Sequence, residues 1–188
     1  MCQTAVIFDL DGTITKPYLN FDAVRAEIGV SGPILEAMEV MNAEERKRVE
    51  TVLHRYESEA AENATLQEGA IEVLDACRAR GFPIAILTRN TKPNVHIVME
   101  KFGIRVDALR TRDDGAIKPS PAPILSLCDE LNADPRQSWM VGDYLFDIQS
   151  GRAAGTRTVL MIGDAPRPKF ADQAHHVIRR LAQLLPLL

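Results

Sequence analysis

Residues 5–13 have the sequence AVIFDLDGT, and the rest of the chain is best interpreted from this stretch. Its first four residues are apolar and partly β-branched, which is typical of a strand buried inside a parallel sheet. Two carboxylates, Asp9 and Asp11, follow where that strand is predicted to end. Carboxylates about 4 Å apart repel by roughly 4 kcal/mol at an effective dielectric constant near 20. The pattern therefore indicates a use for both, as ligands of a hard cation and as a nucleophile.

The composition predicts an ordinary globular protein without a strongly charged surface. The 188 residues are 46% hydrophobic and 26% charged, and a chain of this length can bury roughly 70% of its unfolded surface. The net charge is −4. If four carboxylates belong to a single site, the rest of the chain has no net charge. This balance gives no reason to expect nucleic acid or an acidic membrane as a partner.

Cysteine usage and hydropathy predict a cytoplasmic protein. Cys2, Cys77 and Cys128 are far apart and form no CxxC pair, which favours buried, reduced thiols. Asp9 interrupts the first apolar run, so we expect no signal peptide. No apolar run approaches the length of a membrane span, and the sequence is compatible with a monomer.

Short apolar runs alternate with helical patterns through most of the chain. Buried strands are predicted at residues 4–8, 83–87, 139–141 and 158–162, with a weaker one at 104–109. Helices are predicted at residues 70–80, 95–102, 121–131 and 146–154, and a last one follows a short apolar segment within residues 172–188. The alternation predicts an α/β fold, a doubly wound parallel sheet with helices on both faces.

A different pattern fills the interval between the first two strands, where we find only helical signals. Asn20 and Pro33 can each begin a helix, and Asn42 with Glu45 forms a capping-box pattern that begins a third. We therefore predict a small all-helical insertion after the first strand. The predicted domains are an α/β core, residues 1–15 and 66–188, and a helical insertion, residues 16–65.

Reactive side chains follow several of the predicted strands. Ligands of an open parallel sheet bind beyond the carboxyl ends of its strands, so these side chains should meet at one edge. They are Asp9, Asp11, Thr88, Asp143 and Asp147, together with Lys118 just before a helix. The carboxylates suit Mg²⁺, whereas the hydroxyl, the ammonium and the backbone N–H groups around Gly12 and Thr13 suit phosphoryl oxygens.

These motifs together resemble those of the haloacid dehalogenase superfamily of phosphatases over almost the whole chain. Residues 9–13 are similar to its first motif, Thr88 to its second, Lys118-Pro119 to its third, and GDYLFD at residues 142–147 to its fourth. Residues 151–155 resemble the segment that follows in phosphoglycolate-phosphatase-like members. The resemblance implies a Rossmann-like core, with the helical insertion as its cap.

The resemblance also implies a Mg²⁺-dependent phosphatase acting on a small phosphate monoester, a phosphorylated metabolite. Asp9 would be the nucleophile that forms an aspartyl-phosphate and a metal ligand. Asp11 would protonate the leaving alkoxide, then activate water, while its carbonyl binds Mg²⁺. Asp143 would be a metal ligand. Asp147 would bind the metal directly, or orient Lys118 or a metal-bound water.

The phosphate-binding set implied by the resemblance consists of Gly12, Thr13, Thr88, Arg89 and Lys118. Two positions depart from the common family pattern. Tyr144 follows Gly142-Asp143 where many relatives have a small residue, and Arg89 follows Thr88 where a charge is less usual. We expect Arg89 either to contact the phosphate or to point away.

Two alternatives stay open at this point. A phosphomutase of the β-phosphoglucomutase type would share every residue named above and differ in the acceptor of the phosphoryl group. A non-catalytic module that binds a phosphorylated ligand would have the same fold. A dehalogenase is disfavoured because halide needs no acid to leave, whereas Asp11 supplies one. Phosphoglycolate, a sugar phosphate and a nucleotide all remain candidate substrates.

Overall fold

A computed structural model describes residues 3–188 of the chain, and Cys2 lies outside the described residues. The described chain divides into two compact units. The larger unit contains residues 3–17 and 65–188, and the smaller contains residues 18–64. We describe each by itself.

A six-stranded parallel sheet forms the centre of the larger unit. Its strands are β1 (Val6–Phe8), β2 (Ile84–Leu87), β3 (Ala108–Arg110), β4 (Trp139–Gly142), β5 (Arg157–Met161) and β6 (His176–Ile178). Their spatial order is β3-β2-β1-β4-β5-β6, and every neighbouring pair is parallel. The chain order reverses next to β1, and such a switch point is where doubly wound folds bind their ligands.

Residues 3–188 contain seven α-helices in addition to the sheet. They are α1 (Phe21–Ile28), α2 (Ile34–Glu39), α3 (Ala43–Glu62), α4 (Ala70–Ala79), α5 (Lys92–Phe102), α6 (Ala122–Glu130) and α7 (Leu145–Ala154). The first three lie in the smaller unit, and the last four connect the strands of the sheet. The predicted α/β class is confirmed.

Burial on both faces explains why the central strands are uninterrupted apolar runs. Val6, Ile7 and Phe8 are all buried, although neighbouring side chains of a strand point to opposite faces. On one face, Ile7 belongs to a buried cluster with Ile124 of α6. Helix α7 packs against β4 and β5. The end of β1 is therefore covered on both faces of the sheet.

The smaller unit has an apolar cluster of its own. Val24 and Ile28 of α1 pack with Val49 and Leu53 of α3. The predicted capping box is present, since the Glu45 amide donates to the Asn42 side chain at 3.0 Å and the Asn42 amide to Glu45 Oε2 at 3.2 Å. Asn20 likewise caps α1, accepting from the Ala23 amide at 3.1 Å. The helix starts expected from the sequence are therefore confirmed.

Two elements differ from the sequence-based expectation. The weak strand expected at 104–109 is Ala108–Arg110, because the Ile104 amide donates to Met99 O and thereby belongs to the end of α5. The final helix is a short 3₁₀ turn, Leu181–Leu184. Pro186 follows closely and has no N–H to extend a helix.

Within residues 3–188, none of the helices combines the length and apolar character that crossing a membrane requires.

Candidate active site

The sheet brings its reactive side chains together at the carboxyl ends of the central strands. Asp9 directly follows β1, and its amide N–H donates to the Val141 carbonyl of β4 at 2.8 Å. Thr88 directly follows β2, and its amide donates to the Arg110 carbonyl at 3.0 Å. Residues beyond the strands thus continue the ladder of the sheet, which fixes where their side chains begin.

Lys118 lies at the centre of the cluster and is 3% exposed. Its Nζ donates to Asp9 Oδ1 at 2.6 Å, to Asp147 Oδ1 at 2.6 Å and to the Leu87 carbonyl at 2.9 Å. The three donors of the ammonium are therefore all used. Asp147 is in the first turn of α7, and its Oδ2 accepts from the Tyr144 amide at 2.9 Å. Asp147 thus fixes the ammonium that faces Asp9.

Asp143 lies against backbone that only glycine allows. A Cβ atom built on Gly12 would be 2.2 Å from Asp143 Oδ2, and the φ angle of Gly12 is +90°. The Thr13 hydroxyl contacts Asp143 Oδ1 at 3.4 Å. A Cβ atom on Gly142 would be 2.2 Å from Asp147 Cγ. Both carboxylates therefore occupy space that a side chain at either glycine would fill.

Three carboxylates are close enough to share a cation. Asp9, Asp143 and Asp147 each offer an oxygen, and these oxygens lie within 4.8 Å of one another. Carboxylate oxygens suit a hard divalent cation such as Mg²⁺ or Ca²⁺ better than a soft one. The donor set therefore fits the divalent cation that the sequence motifs imply.

The electrostatics of the cluster also favour a cation. Burial raises the pKa of Asp9 to about 7, assisted by Asp147 and Asp11 and opposed by Lys118. Burial and the charges of Asp9 and Asp147 raise the pKa of Asp143 well above its usual range. Burial alone would lower the pKa of Lys118, but the two carboxylates it contacts outweigh that effect and raise it. Added positive charge would hold these carboxylates in their ionised form.

Asp11 has a more open position than Asp9 and keeps exposed surface. Its Oδ2 accepts from Asn90 Nδ2 at 3.1 Å. Desolvation by the surrounding protein raises the pKa of the Asp11 carboxyl group. The hydrogen bond from Asn90, the charge of Lys118 and the hydrogen bond from Thr88 lower it, and desolvation is the largest effect. Asp11 is therefore placed at the mouth of the site, and Asp9 at its floor.

The remaining predicted phosphate ligands make contacts within the protein. Arg89 Nη1 donates to the Lys118 carbonyl at 3.1 Å, and its guanidinium lies 4.6 Å from the centre of the Phe146 ring. The Thr13 amide donates to Leu10 O at 3.3 Å. The Thr88 hydroxyl interacts with Asp11 and accepts from the Asn90 amide at 3.0 Å, and the Gly12 carbonyl accepts from Gln67 Nε2 at 3.1 Å.

A cavity of about 680 Å³ adjoins the cluster. It is lined by Gly12, Asp143, Tyr144 and Phe170 and by the loop of residues 161–166, among others. The size is within the range of small-molecule sites in general. The cavity gives the organic part of a ligand room next to the carboxylates.

Asn90 and the backbone of Tyr144 are parts of the site that the sequence reasoning missed. Asn90 is 8% exposed and bonds directly to Asp11. Its position three residues beyond the end of β2 is a signal that could have found it, since Thr88 was found on the same basis. The direction of its side-chain amide depends on tertiary contacts, which cannot be inferred from the sequence alone.

Comparison with known proteins agrees with the fold and with the family that the motifs resemble. The family model of the haloacid dehalogenase-like hydrolases matches residues 3–155. An N-acetylmuramic acid 6-phosphate phosphatase of Pseudomonas putida is 32% identical over 180 residues, covering 82% of this chain and 80% of that protein. A phosphoglycolate phosphatase of Haemophilus influenzae is 30% identical over 184 residues, covering 81% and 82%.

Solved structures give the same fold. The crystal structure of a predicted phosphoglycolate phosphatase from Haemophilus somnus superposes with a TM-score of 0.78 at 22% identity, covering 98% of this chain and 97% of that one. The protein belongs to the haloacid dehalogenase-like hydrolase family, and the family expected from the sequence motifs is confirmed.

Proposed function

We propose that this hydrolase is a Mg²⁺-dependent phosphatase that cleaves a small phosphate monoester through an aspartyl-phosphate formed on Asp9. The observation that carries the proposal is the contact of Lys118 Nζ with both Asp9 Oδ1 and Asp147 Oδ1 at 2.6 Å, beside Asp143. Phosphoryl transfer is mostly a matter of positioning and charge neutralisation, and this cluster can supply both.

The cation would be held by Asp9 and Asp143, with the backbone carbonyl of Asp11. Asp147 is a further candidate ligand, although both of its oxygens already accept hydrogen bonds, from Lys118 and from the Tyr144 amide. We therefore assign Asp147 first to the orientation of Lys118. When bound, the cation neutralises charge on the carboxylates and on the phosphoryl oxygens.

Asp9 is the group placed to attack phosphorus. Its carboxylate oxygen forms a bond to phosphorus, and the bond from phosphorus to the ester oxygen breaks. The Lys118 ammonium and the Thr88 hydroxyl would exchange their present hydrogen bonds to Asp9 and Asp11 for hydrogen bonds to the phosphoryl oxygens, and the backbone around Gly12 would donate as well. The Thr13 amide and the Arg89 guanidinium are bound to the backbone carbonyls of Leu10 and Lys118, which take no part in the reaction, so we place both residues in the surroundings of the phosphate.

Asp11 transfers the proton in both half-reactions. In the first, its carboxylic acid protonates the oxygen of the leaving alcohol. In the second, its carboxylate takes a proton from the water that attacks the phosphorus of the aspartyl-phosphate. That step releases inorganic phosphate and restores Asp9. The position of Asp11 at the exposed mouth of the site suits a group that meets both alcohol and water.

The helical unit, residues 18–64, is proposed to act as the cap that selects the substrate and excludes water during transfer. Relatives act, according to their names, on phosphoglycolate or on N-acetylmuramic acid 6-phosphate. A small phosphorylated metabolite of this kind is the substrate class that we propose. The free, buried thiols of Cys77 and Cys128 are in keeping with the proposed cytoplasmic location.

Replacement of the nucleophile tests the proposal. We expect Asp9→Asn to lose phosphate release from 4-nitrophenyl phosphate with Mg²⁺, because an amide cannot form the acyl phosphate. Asp129→Asn, an exposed change away from the site, is the matched control. Circular dichroism checks folding of both variants. Undiminished turnover by Asp9→Asn would overturn the mechanism.

A metabolite panel separates the alternatives. Free phosphate from a subset of esters supports a phosphatase, whereas an isomerised sugar phosphate would indicate the phosphomutase. Absence of any product from the whole panel, with Mg²⁺ present, would favour a module that only binds phosphorylated ligands.

A further inference from the structure

Asn90 connects the loop after β2 to the carboxylate of Asp11. It is 8% exposed, and its Nδ2 donates to Asp11 Oδ2 at 3.1 Å. Asp11 itself keeps exposed surface, so packing restrains its side chain less than it restrains the buried Asp9. A buried donor attached to one of the Asp11 oxygens adds a restraint.

The orientation of the Asn90 amide is set by its other contacts. Its Oδ1 accepts from the Thr91 amide at 2.8 Å and from Asn94 Nδ2 at 3.0 Å. Rotating the amide by half a turn would place its NH₂ against these two donors and its oxygen against the Asp11 carboxylate. Both changes would create repulsive contacts, so the NH₂ group must face Asp11.

The backbone of Asn90 is held as firmly as its side chain. Its amide N–H donates to Thr88 Oγ1 at 3.0 Å, and its carbonyl accepts from the Arg112 amide at 3.1 Å. Asn94 lies in α5 and is 1% exposed. Asp11 is therefore tied, through one amide, to a strand end and a buried helix face.

The geometry points to Asn90 as a positioning residue that presents one defined oxygen of Asp11 to the leaving group; this inference rests on the phosphatase function proposed above. The carbonyl oxygen of a carboxylic acid is a better acceptor than its hydroxyl oxygen, so the hydrogen bond from Asn90 favours Oδ2 as the carbonyl oxygen of the protonated acid. The proton that passes to the alcohol oxygen is therefore carried on Oδ1. When the ester bond breaks, that proton forms the O–H bond of the alcohol and leaves Asp11 as a carboxylate.

Leaving groups of different basicity distinguish this role from a structural one. A 4-nitrophenolate leaves readily without protonation, whereas an alkoxide such as that of glycerol depends on the acid. We expect Asn90→Ala to lower kcat for glycerol phosphate by about 10- to 100-fold, a part of the usual contribution of general acid catalysis. The kcat for 4-nitrophenyl phosphate should fall by less than about threefold.

Two further variants complete the test. Asn90→Asp keeps an acceptor for the Thr91 amide and Asn94 but loses the donor to Asp11, so it should show the same selective loss. Thr91→Val is the matched control, because the Thr91 hydroxyl is buried without a hydrogen-bond partner among the described residues and should affect neither ester. Thermal unfolding checks that all three variants fold.

The outcomes separate this inference from the function on which it rests. Equal losses for both esters in the two Asn90 variants, or no loss in either, would overturn the positioning role alone. A wild-type protein that releases phosphate from neither ester nor from the metabolite panel would overturn the phosphatase function, and the role of Asn90 with it.

Discussion

Lys118 is the residue on which the charge balance of the site depends. Four carboxylates surround its ammonium, and two of them accept a hydrogen bond from it. A buried ion pair contributes little net stability compared with an apolar pair, but removal of one partner leaves a buried charge uncompensated. The stability of the fold and the proposed reactivity of Asp9 are therefore coupled through one side chain.

We predict that Lys118→Met lowers the free energy of unfolding by about 3–5 kcal/mol, because Asp9 and Asp147 would face each other without the ammonium. Urea denaturation in the presence of a chelator measures the change. Adding Asp147→Asn should recover part of the loss, and Lys169→Met, at an exposed lysine, should have almost no effect. Equal stability of Lys118→Met and the wild type would refute the prediction.

The buried thiols give a prediction about pH. Cys77 is fully buried, and burial raises the pKa of its thiol to about 11. At pH 8 only about one thiol in a thousand would be the reactive thiolate. In a Cys2→Ser background, we expect no reaction with a disulfide reagent at pH 8 until denaturant is added. Reaction of the native protein should accelerate as the pH approaches 11, and rapid labelling at pH 8 would contradict this.

At the scale of elements, the close approach of α7 to the sheet determines where Asp147 lies. A Cβ atom on Gly151 would be 2.6 Å from Thr158 Cγ2 and 2.9 Å from Met140 Cβ. Helix α7 can lie this close to β4 and β5 only because position 151 has no side chain.

Gly151→Ala sets two effects against each other. Alanine favours a helix interior over glycine by about 1 kcal/mol, whereas an overpacked contact costs about 1–3 kcal/mol. The backbone and Cβ neighbours leave little room to relax, so we expect net destabilisation of up to about 2 kcal/mol and reduced phosphatase activity. Gln149→Ala, exposed on the same helix, is the control for helix propensity. Thermal unfolding and initial rates measure both effects, and a stabilised, fully active Gly151→Ala would show the reasoning to be wrong.

The elements differ in how far the sequence could predict them. The central strands and most helices could be predicted from apolar runs, periodicity and caps such as Asn42 with Glu45, because these patterns reflect interactions between residues that are close in sequence. The predicted start of β3 was wrong because the Ile104 amide bonds to the end of α5 and is not part of the strand. Hydropathy does not show whether an apolar residue belongs to the helix or to the strand that follows it. The candidate site could be assembled from strand ends and motif order, yet Asn90 was missed because a side-chain direction is decided by tertiary contacts.

On the scale of the whole molecule, a cation held by the carboxylate cluster would link metal binding to stability. Asp9, Asp143 and Asp147 repel one another when no cation offsets their charge. A ligand that binds only the folded state at 100 times its dissociation constant stabilises by about 2.7 kcal/mol. For a protein of this size, that corresponds to a rise in Tm of roughly 5–10 °C.

We therefore predict that saturating Mg²⁺ raises the Tm of the wild type, measured by calorimetry against a sample containing EDTA. Asp143→Asn should raise the Tm in EDTA, because one repelling carboxylate is gone, and should lose most of the response to Mg²⁺. Asp164→Asn, at an exposed acid that pairs with Arg180 on the surface, should keep that response. A full response in Asp143→Asn would remove Asp143 from the cation site.

The strand order has a consequence for biosynthesis. Strand β1 pairs with β2 on one side and with β4 on the other, so its second neighbour is translated only when residue 139 is reached. At a typical 5–20 residues per second, the ribosome needs roughly 7–26 s for that interval. Until then, Val6, Ile7 and Phe8 lack their final partners, whereas residues 18–64 already have all the members of their own apolar cluster. The nascent core, and not the helical unit, is therefore the part of this chain that chaperones have reason to shield.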